Sequence, residues 1–336
     1  MSSTLRIGII GVGRIGLAHA RTLLAQPRVS HLVLADVDAG VADRAANDLG
    51  ATAASMDDVF NQVDGVVIAT PTSTHAELLI RSVEAGVAAF CEKPVALDVA
   101  TTREVLAAVA ASGTPVQIGF QRRFDAGYTA ARAAVRAGEI GEVRRAHMLT
   151  CDPTPPAERF VPTSGGIFKD CGIHDVDALR WVTGAEVVEV HAYGVGRGED
   201  YFEKYGDSSE AAAVLKLDDG TLATLHLSRY NGAGYDVRME VAGTTGTIAV
   251  GLDEHSALRS VEPGVSFPQG EAFGWFYPRF QDSYSAELAA FLAVAAREQE
   301  SPATVADALE ALYVCEALAL SRTQGRPVSV EEIRNS

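Results

Sequence analysis

Cysteine is scarce in this sequence: Cys91, Cys151, Cys171 and Cys315 are scattered over 336 positions, with no C-x-x-C pair among them. That spacing excludes a zinc ribbon and a dithiol redox motif and predicts four reduced thiols, with Cys91 and Cys171 as small buried packing residues. Long apolar runs are missing too. Each apolar stretch is broken by charge, Gly or Pro before the roughly twenty residues that cross a bilayer, so no membrane span is expected. Positive charge is in deficit: 28 Lys and Arg stand against 44 Asp and Glu, a formal net charge of −16. Such a surface repels phosphate backbones and anionic membranes, which argues against nucleic acid as a partner. The start, MSSTLRIGIIGVG, passes at once into strand and turn without the basic, apolar and small-residue zones of an export signal, so a soluble cytoplasmic protein is expected.

The length exceeds what one hydrophobic core usually serves, and 47% hydrophobic with 21% charged residues is ordinary for a globular chain. Two domains are predicted. Short apolar runs at Leu5 to Ile10, His31 to Ala35, Gly65 to Ala69, Ala88 to Cys91 and Val116 to Gly119 alternate with helical patterns at Leu17 to Gln26, Val41 to Leu49, His75 to Ala85 and Thr101 to Ser112. That alternation predicts an α/β fold, a doubly wound parallel sheet with helices on both faces. After about Phe120 a helix from Tyr128 to Ala137 leads into six strand-like segments between Val143 and Val250, read as an open, mostly antiparallel sheet, with Asp218-Asp219-Gly220 as a hairpin turn. Helical patterns return at Ser285 to Glu298 and Val305 to Arg322. The expected division is a Rossmann domain over 1–120 and a substrate domain over 121–302, with 303–336 packing back on the first.

Gly11-Val12-Gly13-Arg14-Ile15-Gly16 is G-x-G-x-x-G between a predicted strand and helix, the context in which the pattern binds a dinucleotide. Gly11 allows the tight turn, Gly13 lets backbone approach pyrophosphate, and Gly16 lets helix and strand pack closely, with the helix N-terminus facing the anion. Asp36 ends the second strand, where a carboxylate bonds the adenosine ribose hydroxyls and repels a ribose phosphate; no Arg stands at Val37 or Asp38 to welcome one. NAD is therefore expected over NADP. The other reading of Asp36 is a helix or turn cap. Thr70-Pro71 follows the third predicted parallel strand, where a loop passing under the nicotinamide ribose and a plain turn are both open readings.

Glu92-Lys93-Pro94 ends another parallel strand, at the carboxyl edge where ligands bind in open α/β sheets. An ammonium there can hydrogen-bond a carbinol oxygen and stabilise charge that develops on it; a solvated Lys before a turn is the alternative. Further on, Ile173, Val176 and Leu179 repeat at helical spacing, so a helix from about Asp170 would set Asp170, His174 and Asp177 along an adjacent face. His174 could take a hydroxyl proton with Asp170 orienting it or the substrate. Against this stand Asp170 as an N-cap, His174 as a packed helix residue and Asp177 as a solvated acid. A metal site lacks further identifiable ligands, and none is expected.

In that order, Gly11 to Gly16, Asp36, Glu92-Lys93-Pro94 and Asp170-x-x-x-His174 resemble the glucose-fructose oxidoreductase and inositol dehydrogenase (Gfo/Idh/MocA) family over nearly the whole chain. Gln117 to Asp125, QIGFQRRFD, is similar to the Q-x-G-F-x-R-R-Y-D segment of its inositol 2-dehydrogenases, with Phe124 in place of Tyr. The resemblance implies Lys93, Asp170 and His174 as catalytic and substrate-binding residues, and Arg123, Asp177, Tyr235 and Tyr284 as further pocket positions. It implies a Rossmann domain plus an α/β domain whose open sheet often makes a dimer or tetramer. The implied activity is NAD-dependent oxidation of a cyclitol hydroxyl, myo-inositol to its 2-keto product. Family members acting on scyllo-inositol, free sugars or glycosides are the enzymatic alternatives. An NAD-binding sensor is the non-enzymatic one, against which Lys93 and His174 argue.

Overall fold

The computed structural model describes residues 4–336. The chain divides into two units, one running to Phe124 and resuming over Asp282–Glu310, the other Asp125–Gln281 with Ala311–Ser336. In the first, β1 (Leu5–Ile10), β2 (Val29–Ala35), β3 (Thr52–Ala53), β4 (Gly65–Ile68), β5 (Ala88–Glu92) and β6 (Val116–Gly119) form a sheet in the order β3-β2-β1-β4-β5-β6. Each pairing is parallel. The connecting helices are α1 (Arg14–Leu24), α2 (Ala39–Leu49), α3 (His75–Ala85) and α4 (Val99–Ser112). β4 is buried at every position, which is why its sequence is continuously apolar rather than alternating. Asp38 caps α2 by accepting from Gly40 and Val41 backbone N–H groups at 2.9 and 3.3 Å. The order reverses between β1 and β4, and the chain ends that follow them are the Gly-rich turn and the Thr70 loop.

In the second unit, β7 (Val143–Cys151), β8 (Val187–Val195), β9 (Glu210–Leu217), β10 (Leu222–Ser228), β11 (Asp236–Gly243), β12 (Thr247–Val250) and β13 (Val328–Ser329) run in the order β12-β11-β7-β10-β9-β8-β13. All neighbours are antiparallel except β7 and β10, so the sheet is mixed. A purely sequential reading of strands misses a parallel pair because nothing local encodes it. Gly220 takes φ 89° in the predicted hairpin between β9 and β10, a conformation that favours glycine. The remaining helices of the chain are α5 (Ala126–Arg136), α6 (Val161–Ser164), α7 (Ile173–Thr183), α8 (Tyr201–Lys204), α9 (Phe276–Ala295), α10 (Val305–Gln324) and α11 (Val330–Arg334), of which α9 and α10 are each shared between the two units. Strand β9 alternates, and β10 does so up to Ser228, with Ala211, Ala213, Leu215, Ala223, Leu225 and Leu227 buried, as a sheet with one covered face requires.

The division corrects the sequence expectation at two places. Leu288, Phe291 and Leu292, at helical i, i+3, i+4 spacing, join Ile7, Ile9, Leu34, Val67 and Phe90 in the first unit's core, so α9 from Asp282 onward belongs there rather than to the substrate domain. The tail from Ala311 belongs to the second unit. Lys169 Nζ lies 2.6 Å from Glu316, Ser321 Oγ accepts from Ala192 N–H at 3.0 Å, and β13 pairs with β8.

Candidate active site

The Gly-rich turn is shaped by what its residues lack. Gly11 has φ 89°, and a Cβ there would sit 2.8 Å from the Thr70 methyl and 2.9 Å from Ala69 backbone; at Gly16 it would meet the Gly11 carbonyl at 1.8 Å. Gly13 differs: nothing lies within 4 Å of where its Cβ would be. Gly11 and Gly16 are thus demanded by internal packing, whereas the empty space at Gly13, at the N-terminus of α1, fits the approach of a pyrophosphate. Val12 is buried beneath the turn, and Arg14 and Ile15 open α1 with Arg14 exposed.

Asp36 is not the cap of α2, since Asp38 fills that role. Its carboxylate accepts from Val12 N–H at 2.9 Å and Asp38 N–H at 3.0 Å, which ties the end of β2 to the Gly-rich turn. A carboxylate has about four acceptor sites, so these two bonds leave capacity for ribose hydroxyls. Turn and acid together fit the adenosine half of NAD.

On the same unit, Glu92 and Lys93 are half-buried at the end of β5, followed by buried Pro94 and Val95. Two histidines that the sequence reading passed over hold this segment. His19 Nε2 lies 2.6 Å from Glu92 Oε1. His75 places Nδ1 2.8 Å from the Pro94 carbonyl and Nε2 2.9 Å from that of Thr70. A signal for His19 existed: it shares the buried face of α1 with Gly16, Ala20 and Leu23. His75 had none, because its role depends on the Pro94 carbonyl, nineteen residues on, packing against the loop just before it. Tyr284 is buried with its ring 5.7 Å from that of His19.

In the second unit, the predicted helix from Asp170 starts instead as a wide π-helical turn, Phe168–Gly172, running into α7 at Ile173. Ile173, Val176 and Leu179 are buried as expected. Asp170 is not an N-cap. Its carboxylate lies 2.8 Å from Arg229 Nη2, and Arg229 Nη1 lies 3.2 Å from Asp152 and 3.0 Å from the Cys171 sulfur. Burial works against the charge on Arg229, but Cys171, Asp170 and Asp152 outweigh it and raise its pKa, so the guanidinium is charged at every working pH. Burial raises the Asp152 pKa, Arg229 opposes the rise and Asp170 adds to it.

His174 is half-buried on α7 next to Asp175, whose carboxylate accepts from Thr150 at 2.8 Å. Arg229 and Asp152 were missed in the sequence. A signal was present for Arg229, which continues the inward parity of Ala223, Leu225 and Leu227 one step beyond β10.

The remaining predicted pocket residues are all buried. Asp177 is 1% exposed, which overturns its reading as a solvated acid. Tyr235 is buried beside β11, its N–H donating to the Phe273 carbonyl at 2.7 Å. Arg123 donates to the Pro302 carbonyl at 2.8 Å and lies 3.2 Å from Asp307. Those partners tie the 121–124 turn to the 302–307 segment. All four cysteines are buried, as expected for packing residues. Hollows of about 180 Å³ beside Phe168 and Asp207, and about 340 Å³ beside Glu158 and Tyr201, lie in the loops of the second unit. Neither is lined by Asp170 or His174. Among the described residues, no His, Cys, Asp and Glu cluster suits a metal, and no helix is long and apolar enough to cross a membrane.

Sheet order, Gly-rich turn and strand-end acid define a dinucleotide-binding protein of the Rossmann class. Residues 5–120 match the model of an oxidoreductase family with an NAD-binding Rossmann fold, and residues 128–249 match the GFO/IDH/MocA C-terminal domain. The chain is 34% identical to the scyllo-inositol 2-dehydrogenase (NAD(+)) of Bacillus subtilis, covering 98% of each chain. It is 32% identical to the inositol 2-dehydrogenase of Rhizobium meliloti, covering 97% of this chain and 99% of the relative. The crystal structure of scyllo-inositol dehydrogenase from Lactobacillus casei with bound NAD(H) and scyllo-inositol superposes with a TM-score of 0.88 at 29% identity, over 98% of this chain and 100% of the other. The chain belongs to the GFO/IDH/MocA oxidoreductase family, and its cofactor is NAD.

Proposed function

We propose that this enzyme oxidises a secondary hydroxyl of a cyclitol, myo-inositol to 2-keto-myo-inositol. The observation that carries the chemistry is Asp170, held 2.8 Å from a buried Arg229 and four residues ahead of His174. A carboxylate pinned in this way is pre-oriented, so it can bind a hydroxyl or orient an imidazole without reorganising during reaction. His174 acts as general base and takes the hydroxyl proton as the carbon–oxygen double bond forms. Lys93 hydrogen-bonds the reacting oxygen and stabilises its alkoxide character. Held by the Gly-rich turn and Asp36, oxidised NAD would supply the hydride acceptor for the carbinol carbon. Arg123, Asp177, Tyr235 and Tyr284 complete the proposed substrate set, and Glu92, Thr70 and Pro71 the cofactor set beside the Gly-rich turn and Asp36.

Scyllo-inositol is the second reading, favoured by relatives named for it in Bacillus subtilis and Lactobacillus casei. A panel of inositols, monosaccharides and glycosides with NAD and NADP, followed by reduced-nicotinamide absorbance, decides between them. Highest kcat/KM on myo-inositol with NAD is expected. Preference for a sugar or glycoside, or no turnover, overturns the reading.

The protein is further proposed to work in the cytoplasm as a homo-oligomer, a dimer or tetramer, through the open face of its seven-stranded sheet. Tyr193, Val214 and Leu222 stand 68%, 51% and 54% exposed there, on neighbouring strands. Apolar groups so placed favour burial against a second copy. Light scattering that returns a monomer mass would refute the assembly.

A further inference from the structure

Lys93 has a sequence neighbour on each side that is held by a different buried histidine. Before it, Glu92 meets His19 at 2.6 Å; His19 is 1% exposed, and its ring lies edge-on to those of Phe90 and Tyr284 at 5.6 and 5.7 Å. After it, the Pro94 carbonyl meets His75 Nδ1 at 2.8 Å, while the other nitrogen of that ring faces the Thr70 carbonyl at 2.9 Å. His19 belongs to α1, the helix that opens on the Gly-rich turn, and His75 opens α3 behind the Thr70 loop. One anchor grips a side chain, the other a backbone carbonyl. Together they restrain both the position and the rotation of the segment from which the Lys93 side chain projects.

We propose that His19 and His75 are positioning residues that hold Lys93 from its two sides and fix it relative to the Gly-rich turn and the Thr70 loop. The inference rests on the reading of Lys93 as catalytic. Neither histidine can touch a substrate from a site 1% exposed, so both act through Lys93. Around His75, burial holds the imidazole below its ordinary range, the Pro94 and Thr70 carbonyls and Glu92 pull it up, and Lys93 pushes it down. A neutral ring has one N–H, so each tautomer donates to one of the two carbonyls while the ring packs against the other.

The test exploits the two ring nitrogens. An Asn side chain can replace the Nδ1 bond to Pro94, and a Gln side chain the Nε2 bond to Thr70. With myo-inositol and NAD, His75→Gln should lower kcat roughly 100-fold, the scale of a small misplacement at a reacting centre, and His75→Asn by less than about fivefold. Both should shift Tm alike and leave NAD affinity, by fluorescence titration, within about threefold. Equal kcat losses in the two variants, or lost Tm with unchanged kcat, overturn the proposal. Hydrogen exchange reads the restraint without activity: in His75→Ala, peptides spanning 69–74 and 92–97 should lose protection together. Protection lost in only one sinks the coupling. If the wild type turns over no polyol, the functional reading fails, and the exchange result alone decides the clamp.

Discussion

The two units build their candidate sites by opposite means. In the first, geometry comes from missing atoms: Gly11 and Gly16 sit where a Cβ would collide at 2.8 and 1.8 Å, and Gly13 leaves open space at a helix N-terminus. In the second, geometry comes from buried charge, with Arg229 binding Asp170 and Asp152 at 2.8 and 3.2 Å. Backbone shape is a cheap way to recognise an invariant cofactor, because it needs no side chain to be ordered. Held carboxylates suit a reaction, where charge has to be stabilised as it moves.

The largest expected effect breaks the chemical side of this contrast alone. His174→Ala should cut turnover by about 10³-fold, within the range for loss of a general base, with NAD affinity by calorimetry unchanged. Near-normal turnover would remove His174 from the mechanism.

Arg229→Met should destabilise the fold by about 3–5 kcal/mol in urea denaturation, because it strands two partly buried carboxylates. A smaller loss would mean that Asp170 and Asp152 find water or protons without it.

The glycines sharpen the other side. Gly16→Ala should cost at least about 2 kcal/mol of stability by overpacking. Gly13→Ala should cost under about 1 kcal/mol yet weaken NAD binding roughly tenfold, measured by titration. If both variants lose stability equally, the space at Gly13 is not a ligand site.

Asp36→Ala should narrow the preference for NAD over NADP by roughly tenfold in kcat/KM, equivalent to about 1.4 kcal/mol. An unchanged ratio would leave Asp36 as a brace for Val12 only.

The smallest effect is a pH dependence in the first unit. His75 is held neutral by burial, while in the unfolded chain it takes a proton near its ordinary 6.5. The unfolded state therefore binds more protons below that value, and stability falls as pH drops from about 6.5 to the lower folded pKa. Urea midpoints of the wild type compared with His75→Asn should converge toward acid pH. A constant difference would show that the ring titrates alike in both states.

Much of the first unit was legible because its determinants are local. Strand, Gly-rich turn, helix and the acid closing β2 lie within Leu5 to Asp36, and each is forced by neighbours in the chain. His75 was illegible, since its partner Pro94 meets it only after β4, α3 and β5 have packed. In the second unit, the apolar period of α7 was readable, but the wide turn at Phe168–Gly172 was not. The partners of Arg123 were not legible, because Pro302 and Asp307 reach it from about 180 residues away.

Local patterns suffice for the sheet class of the first unit, the cofactor turn and the choice of NAD, since period, glycine and a strand-end carboxylate act over short distances. Only the tertiary structure decided that β7 and β10 run parallel, that α9 completes the Rossmann core from Asp282 onward, and that Arg229 holds Asp170. Those outcomes depend on which surfaces meet when distant segments bury their apolar faces, and chain order leaves that choice open.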